Sequence, residues 1–435
     1  MIDKHLRNLG LHRVEENLGE IAASALQQLK AAIKNSRIKS SYLKPGPTQG
    51  LGMLLCLDIG GTSTRCALFD PEGGGEWGVL FEAANTDLKP AGQDTPGASF
   101  KTFAAVVAKR IAESPAMQLL KAERLEIDGL GIVWSQAQTS VPKEWGIEAL
   151  VYDRAHYAKG EWFIRDLLDG DPIGLPFREE LTRQGLNVRR TIVSNDVVLT
   201  MLALPEAHAG MVMSTGLNAT VLLAAEERRY IHNAQFGDQL QIDSKYRSTA
   251  DFLEAGKTAH TIEFLSAGKF LPALFASHIT KLHELGVKEL QSVAAFLRAN
   301  PKNLSFSAAD MGDLLHKPAV FQARYGERMK IEPEALALLG TLSAALIKRA
   351  GKLGAIVGFA SISTQFEECQ NFTIALDSRL SRELRELRQT MEAALPTILP
   401  KGISAKFELL SPTATLGGEV SVPMLGLAQA LAQTD

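Results

Sequence analysis

The chain has 435 residues, more than one compact core usually holds and enough for two domains. Apolar residues make up 46% and charged residues 22%, and the net charge of −3 leaves no global basic field to attract nucleic acid or an anionic membrane. Three scattered cysteines and the lack of an 18-residue apolar run argue against a disulfide scaffold, a cysteine-rich metal motif and a membrane span. Since no apolar N-terminal stretch suggests a signal peptide, we expect a cytoplasmic protein.

The pattern of apolar residues predicts an α/β protein with a repeated core. Helical spacing predicts an amphipathic helix over 13–34, and Pro45-Gly46-Pro47 breaks the chain before the first strand. Further elements are predicted in the order 53–58, 65–70 and 78–83 (strands), 101–113 (helix), 129–134 (strand), and 191–194, 211–214, 219–225 and 228–232 (strands). The rest of the chain is predicted to contain mainly helical sequence over 258–300 and a long helix over 333–353. A final strand, helix, strand and helix follow. This order predicts two copies of a βββαβα unit around a cleft.

The stretch from Asp58 to Arg65 carries the most specific chemical signal. An apolar run ends at Asp58, Gly60 and Gly61 follow, and a second apolar run begins after Arg65. This predicts a β-hairpin whose tight turn exposes backbone N–H groups beside a carboxylate. Asp58 could hold a hydrated Mg²⁺, and Thr62 and Arg65 could donate to phosphate oxygens, so we expect a nucleotide phosphate tail as the ligand. A plain hairpin would explain a shorter Asp-Gly-Gly turn equally well.

A second signal is Asn195-Asp196, at the end of a predicted strand and directly before a predicted helix over 197–203. Phosphoryl transfer to an alcohol needs a carboxylate that accepts the hydroxyl proton, and Asp196 is the candidate. The alternative is a simple helix N-cap, for which Asn and Asp are both favoured.

The third signal is the segment 213–220, a predicted hairpin with Thr215 and Gly216 in its turn. It resembles a phosphate-binding turn, but with one glycine it could also be a plain hairpin.

These segments together resemble the hexokinase family of the sugar kinase, Hsp70 and actin superfamily. The run from Asp58 to Arg65 is similar to the family's Asp-Leu-Gly-Gly-Thr-Asn-Phe-Arg, with Ser63 and Thr64 in place of Asn and Phe. The segment with Asn195, Asp196 and Thr200-Met201 resembles Val-Asn-Asp-Thr-Val-Gly-Thr-Met, and 213–220 resembles Gly-Thr-Gly-Thr-Asn-Ala.

The resemblance implies the two-lobed actin-like ATPase (ribonuclease H-like) fold of the hexokinase type. It divides the chain into an N-terminal helical segment, a small lobe, a large lobe and a C-terminal helix that returns to the small lobe, at 1–50, 51–196, 197–419 and 420–435. It also implies ATP-dependent phosphorylation of a hexose, most naturally glucose, at the 6-hydroxyl, the first step of glycolysis. The cofactors would be ATP and Mg²⁺, and the protein a monomer or homodimer without nucleic acid or membrane partners.

Four further segments resemble the family's sugar site. Segment 131–140 matches a sugar-contacting serine at Ser135, and 157–162 matches a lysine near the sugar and the transferred phosphate at Lys159. Segment 233–237 places Gln235 where the family has a sugar-binding Glu, and 261–268 places Glu263 at the second sugar-binding Glu. Because Gln replaces a charged acceptor at position 235, we expect an altered sugar affinity or preference.

By this resemblance each candidate residue receives a role. Asp196 is the base, Arg65 and Lys159 assist catalysis, and Asp58 positions Mg²⁺ through water. The nucleotide contacts are Asp58, Gly60, Gly61, Thr62, Thr215, Gly216 and Asp377. The sugar contacts are Ser135, Lys159, Asn195, Asp196, Asn218, Gln235 and Glu263.

The adenosine segments depart furthest from the family. Asp377 matches the family's Asp-Gly-Ser, but Ser378 replaces its glycine, and the C-terminal Ser-Gly-Ser-Gly-Lys-Gly segment has lost its lysine, with Glu419 close by. The alternatives therefore left open are a sugar-binding regulatory protein with impaired catalysis and an ATPase without a sugar substrate.

Overall fold

The computed structural model describes residues 2–35, 38–45, 52–70, 75–90, 99–123, 126–152, 154, 162–225, 228–252, 261–300, 306–415 and 417–433. The strands are β1 Lys39–Ser40, β2 Leu54–Ile59, β3 Ser63–Asp70, β4 Glu76–Ala84, β5 Ile127–Trp134, β6 Gln138–Lys143, β7 Gly146–Val151, β8 Val188–Ser194, β9 Ala209–Met213, β10 Leu217–Ala225, β11 Arg228–Asn233, β12 Asn371–Asp377, β13 Ser404–Leu410, β14 Thr413–Thr415 and β15 Gly418–Val420. The helices are α1 Ile2–Leu9, α2 Arg13–Glu16, α3 Leu18–Lys34, α4 Ser99–Ala112, α5 Pro115–Glu123, α6 Gly174–Arg183, α7 Asp196–Leu202, α8 Phe236–Gln239, α9 Ile262–Ser266, α10 Leu271–Glu284, α11 Gln291–Ala299, α12 Ala308–His316, α13 Pro318–Met329, α14 Pro333–Ile362, α15 Arg379–Glu383, α16 Arg385–Ile398 and α17 Val422–Gln433.

The chain divides into two compact units. The first unit comprises Met1–Arg37, Met211–Ala219 and Ala234–Glu408, and the second comprises Ile38–Gly210, Thr220–Asn233 and Leu409–Asp435. The predicted division at residues 50, 196 and 419 stays a prediction.

The second unit is built on a seven-stranded sheet with the order β4-β3-β2-β5-β8-β7-β6. Strands β2 and β3 pair antiparallel, as the first hairpin predicts, whereas β5 pairs parallel with both β2 and β8. Strand β2 is buried along most of its length. Helix α17 packs against it, and its side chains also contribute to an apolar core that includes α4. Burial on both faces explains its continuous apolar run.

In the first unit the strand order is β10-β9-β12-β13, to which β10 contributes its first three residues. Helix α14 packs against α16, α3, α9 and α12. It extends nine residues beyond the predicted end at residue 353, through a stretch with two glycines that face neighbouring side chains. A Cβ on Gly354 would lie 3.1 Å from Met213 Sδ, and one on Gly358 would lie 2.7 Å from the Phe407 ring. These glycines therefore allow close packing and do not end the helix.

The order of neighbouring strands confirms the predicted duplicated core. Strands β11-β10-β9-β12-β13 follow the same order as β4-β3-β2-β5-β8, and in each the strand earliest in the chain stands third. The hairpin β6–β7 adds two strands that the sequence analysis did not predict. Of the helices in the described part of the chain, none has the length and apolar character needed to cross a bilayer.

A buried ion pair joins α14 to the short 3₁₀ helix Thr249–Phe252 in the first unit. Arg349 Nη1 donates to both carboxylate oxygens of Asp251, at 3.0 and 2.8 Å. His278 lies beside the pair, with Nε2 3.8 Å from Asp251 Oδ1. Burial lowers the pKa of His278 to about 4, and the positive charge of Arg349 acts in the same direction.

Acidification should therefore destabilise the protein through His278. The pKa of His278 falls from about 6.5 in the unfolded chain to about 4 in the folded one. The neutral imidazole therefore contributes fully to the free energy of unfolding above pH 6.5, and this contribution is lost as the pH falls towards 4. We expect the free energy of unfolding of the wild type to fall by up to about 3 kcal/mol more than that of His278→Gln between pH 7 and pH 4. Urea titrations across this range, with the exposed His316→Gln as control, measure the difference. Parallel pH curves for wild type and His278→Gln would contradict the prediction.

Helix α17 packs closely on α7 in the second unit because Gly426 has no side chain. A Cβ at Gly426 would lie 1.8 Å from the backbone oxygen of Leu199, which cannot rotate away. A Cβ at Gly131 on β5 would lie 2.3 Å from Leu427 Cγ on the same helix. These two glycines therefore set the distance of α17 from α7 and from the sheet.

Gly426→Ala should lower the free energy of unfolding by about 3 kcal/mol, because the added methyl forces α17 away from α7. Gly19→Ala in α3 is the matched control, since a Cβ there meets nothing within 4 Å. Alanine is the better helix former, so the control should be neutral or stabilising by up to about 1 kcal/mol. Urea unfolding measures the free energy of unfolding of both variants. Equal values would show that the packing of α17 on α7 does not require a glycine at position 426.

Candidate functional site

The turn between β2 and β3 is shaped by Asn85, a buried residue that the sequence analysis missed. Its side chain donates to the carbonyl of Gly60 at 2.9 Å and accepts from the Thr64 hydroxyl at 2.8 Å. Its backbone N–H donates to the Thr62 carbonyl at 2.9 Å. In the part of the chain that the structure describes, the N–H groups of Gly61 and Thr62 have no protein acceptor. The turn therefore presents backbone donors to a ligand, as an anion-binding turn requires.

Asp58 and Arg65 lie opposite each other at the base of this turn. The Ser421 hydroxyl, just before α17, donates to Asp58 Oδ2 at 2.6 Å and so holds one carboxylate oxygen. Arg65 Nη2 lies 2.7 Å from Glu82 Oε1, in a pair whose acidic side chain is 47% exposed. Arg65 itself is 20% exposed, so the Asp58 carboxylate and a guanidinium already paired with Glu82 lie side by side at the base of the turn.

The parallel strands bring three of the predicted side chains to one edge of the sheet. Asp58 pairs with Val133 of β5, and Val133 pairs with Ser194 of β8. Ser135 and Asn195 follow these strands directly, so they lie at the same carboxyl edge as Asp58. The Asn195 side-chain amide links the strand ends further, since it donates to the Trp134 carbonyl at 3.2 Å.

Asp196 is the first residue of α7 and is partly exposed. Asn195 is the N-cap, because its side-chain oxygen accepts from the Val197 N–H at 3.2 Å. Asp196 Oδ1 accepts from the same N–H at 2.8 Å. Both side chains thus accept from the same N–H at the start of α7, and the Asp196 carboxylate lies at a helix N-terminus, where an anion is favoured. We call Asp58, Arg65, Ser135, Asn195 and Asp196 the first cluster.

The turn between β9 and β10 is a hairpin, as predicted, in the first unit. The Ser214 N–H donates to the Gly216 carbonyl at 2.8 Å and closes the turn. The N–H groups of Gly268 and Lys269, after α9, donate to the carbonyls of Ser214 and Thr215. Thr215 itself is exposed at the tip, so its hydroxyl is open to solvent on a turn fixed from both sides.

Glu263, on α9, lies between this turn and α8. A Cβ on Gly216 would be 3.4 Å from Glu263 Oε1, and one on Gly237 would be 2.2 Å from Oε2. Asn218 Oδ1 accepts from the backbone N–H of Phe236 at 3.2 Å, which ties the start of β10 to the start of α8. The structure thus brings together three predicted sugar contacts and the turn in what we call the second cluster. Its members are Thr215, Gly216, Asn218, Gln235 and Glu263.

Gln235 has a left-handed backbone conformation, with φ of 49° and ψ of 39°. Non-glycine residues adopt this conformation at a cost of about 1–3 kcal/mol, and such residues concentrate at ligand sites. The strain therefore supports a functional reason for holding the Gln235 side chain in place.

Asp377 ends β12 in the same unit and is paired with Arg382, whose Nη1 lies 3.1 Å from Oδ1. Burial raises the pKa of Asp377, and the Arg382 guanidinium opposes that shift. Ser378, where the family has glycine, donates from its hydroxyl to the Met213 carbonyl and accepts from the Ser381 N–H. It thus fastens the start of α15 to the end of β9.

The Asp58 carboxylate and the backbone donors of the turn beside it have the chemistry that a Mg²⁺ ion and a nucleotide phosphate would need. Among the described residues no group of three acidic, histidine or cysteine side chains could hold a metal ion alone. The arrangement predicted for Asp58, with Mg²⁺ held by one carboxylate, waters and nucleotide phosphates, stays a prediction. Lys159 lies outside the described residues, so its assignment stays a prediction.

Comparison with solved structures identifies the fold. A hexokinase structure is similar at a TM-score of 0.76 and 17% identity over 99% of both chains. The Schistosoma mansoni hexokinase complexed with glucose is similar at a TM-score of 0.68 and 17% identity, over 100% of this chain and 99% of that one. Glucokinase from Balamuthia mandrillaris in complex with glucose is similar at a TM-score of 0.50 and 12% identity, over 95% and 99%. No protein-family model and no curated protein sequence matches the chain. The predicted α/β fold of the hexokinase type is thus confirmed.

Substitutions at Asn195 should separate its two contacts. Asn195→Ala loses both the cap of α7 and the donor to the Trp134 carbonyl, and should lower the free energy of unfolding by about 2 kcal/mol. Asn195→Ser keeps a capping oxygen and loses only the amide donor, so about 1 kcal/mol is expected. Urea unfolding compares the two, and equal losses would show that the cap contributes nothing.

Proposed function

We propose that this protein is an ATP-dependent sugar kinase that phosphorylates the 6-hydroxyl of a hexose, with glucose as the first candidate. The observation that carries the proposal is the first cluster, in which a phosphate-type turn and the Asn195-Asp196 pair share one edge of a parallel ladder. The hexokinase-type fold supports it, as do the glucose complexes of two similar structures.

Asp196 acts as the base in this proposal. Its carboxylate accepts the proton of the sugar hydroxyl while the oxygen attacks the terminal phosphorus of the nucleotide. Its position at the start of α7 is fixed by the Asn195 cap and by the packing of Gly426 against the same helix. A fixed carboxylate is what proton transfer needs, since its efficiency depends on hydrogen-bond geometry.

The two turns bind the phosphate groups. Backbone donors at Gly61 and Thr62, the guanidinium of Arg65 and the Thr215 hydroxyl stabilise the charge of the transferred group. Gly60, Gly216 and Asp377 complete the nucleotide contacts, and Lys159 assists at the transferred phosphate. Asp58 would position a Mg²⁺ ion through water, and this ion would neutralise charge on the nucleotide phosphates.

Short polar side chains hold the sugar. Glu263 keeps a carboxylate at one of the two positions where the family has a sugar-binding Glu, and carboxylates accept from hydroxyl groups more strongly than amides do. Gln235 adds a donor where the family has a charge, so we propose a sugar preference that differs from that of the usual glucose enzyme. The further contacts are Ser135, Asn195 and Asn218.

A regulatory sugar-binding protein with impaired catalysis is the second candidate. Two features favour it. Arg382 is paired with the Asp377 carboxylate that the resemblance assigns to the nucleotide, and Gln235 replaces a charged residue of the sugar site. Such a protein would bind a hexose without turning over ATP.

A screen of sugar-dependent ADP formation tests the proposal and separates the two candidates. Purified protein is given Mg-ATP with glucose, mannose or fructose, in a coupled assay. A kinase should form ADP in proportion to sugar phosphate, and sugar binding without ADP formation would favour the regulator. ADP formation that no sugar stimulates would overturn both candidates in favour of an ATPase.

Asp196→Ala should reduce kcat for sugar phosphorylation by several decades, because it removes the proton acceptor. The Kd for the sugar, measured by calorimetry, should change only a few-fold. Asp169→Ala, an exposed aspartate of the same unit, is the control and should keep wild-type kcat. Retained turnover in Asp196→Ala would remove Asp196 from its role.

A further inference from the structure

A pocket of about 360 Å³ lies in the first unit between the helices α1 and α2 and one face of α14. Five nitrogen-bearing side chains and two carboxylates line it. They are Arg7, His12, Lys348, Arg349 and Lys352 against Asp3 and Glu15. None of these residues belongs to the second cluster, so the pocket is separate from the candidate sugar site.

The cations of the pocket differ in how far they are exposed and paired. Lys352 lies 2.8 Å from Glu15, and Arg7 lies 3.1 Å from Glu16. Both side chains of the Arg7–Glu16 pair are more than half exposed, so that pair contributes at most about 1 kcal/mol because water screens it. In the other pair Glu15 is 69% exposed, but Lys352 is only 15% exposed. Lys348, one turn before Lys352 on α14, is exposed. The lining itself carries more positive than negative charge, and carboxylates pair with Arg7, Lys352 and Arg349.

Arg349 supplies an independent observation. Its side chain is 2% exposed, and Asp251 occupies only Nη1. Its Nε and Nη2 have no hydrogen-bond partner in the described part of the chain, and neither does the buried Nδ1 of His12. Nε and Nη2 form one edge of the guanidinium, whose parallel N–H groups match two oxygens of a phosphate or carboxylate. Buried donors left unsatisfied are costly, so this edge calls for an acceptor.

We propose that this pocket binds a small phosphate-bearing molecule. A phosphate monoester carries close to two negative charges, which match the excess of cations, and it offers several oxygens to the Arg349 edge and to the lysines. The volume accommodates inorganic phosphate or a small organic phosphate, and both present the same group. The proposal does not rest on the proposed function, because its residues and its test lie outside the two clusters.

Acylation of lysines in the full-length protein tests the site directly. The protein is treated with an amine-reactive reagent in sodium phosphate or in sodium chloride of equal ionic strength, and each modified lysine is quantified by mass spectrometry. Phosphate should protect Lys348 and Lys352 at least fivefold, in a saturable manner, and should leave the exposed Lys401 unchanged. Glycerol phosphate is the second probe, and the probe with the lower half-saturating concentration identifies the source of the phosphate group.

Two variants with opposite expected effects complete the test, with protection of Lys352 as the readout. Lys348→Gln should raise the half-saturating phosphate concentration about tenfold, since it removes a charged donor. Glu15→Gln should lower it several-fold, because it removes the carboxylate that competes for Lys352. Lys401→Gln should leave it unchanged. Lys348 and Glu15 are both exposed, so neither variant should unfold the protein. Absence of saturable protection in the wild type, or shifts of the same sign in the two variants, would overturn the proposal.

Discussion

The parallel pairing of β2, β5 and β8 is the constraint on which the first cluster depends. Parallel strands in register end at the same edge of a sheet, so residues far apart in sequence become neighbours without any specific contact between their side chains. Asp58, Ser135 and Asn195 are brought together in this way. The Asn195 amide on the Trp134 carbonyl then fixes the last residues of β5 and β8 to one another.

Features that depend on neighbours in sequence could be predicted, and those that depend on distant contacts could not. The glycine turn after Asp58 and the strands around it follow from local composition. The roles of Asn85 and Ser421 do not, since the first acts on a turn more than twenty residues away and the second reaches Asp58 across 363 positions. The sequence analysis missed the hairpin β6–β7. Its outer strand β6 contains Pro142, begins with the polar Gln138 and ends with the charged Lys143, a composition more typical of a loop than of a strand.

Buried charges in the first unit differ in how completely they are satisfied. Asp251 receives donors from Arg349 and from the backbone of Ser248, so the carboxylate is well compensated. The guanidinium of Arg349 is compensated on one nitrogen only. A sequence cannot show such an imbalance, because it depends on which edge of a planar group faces its partner. The unsatisfied edge is what distinguishes the pocket beside α14 from an ordinary packing defect.

The packing of α17 on α7, β2 and β5 has a consequence for how the protein is made. The second unit takes its central strands from residues before 195 and the helix that covers them from residues 422–433. The sheet face that α17 covers stays open until that helix has left the ribosome, whereas every segment of the first unit has by then been synthesised. Through most of translation the face of β5 that α17 covers is exposed to solvent. Nascent chains that stall before residue 422 should therefore be the ones that engage chaperones.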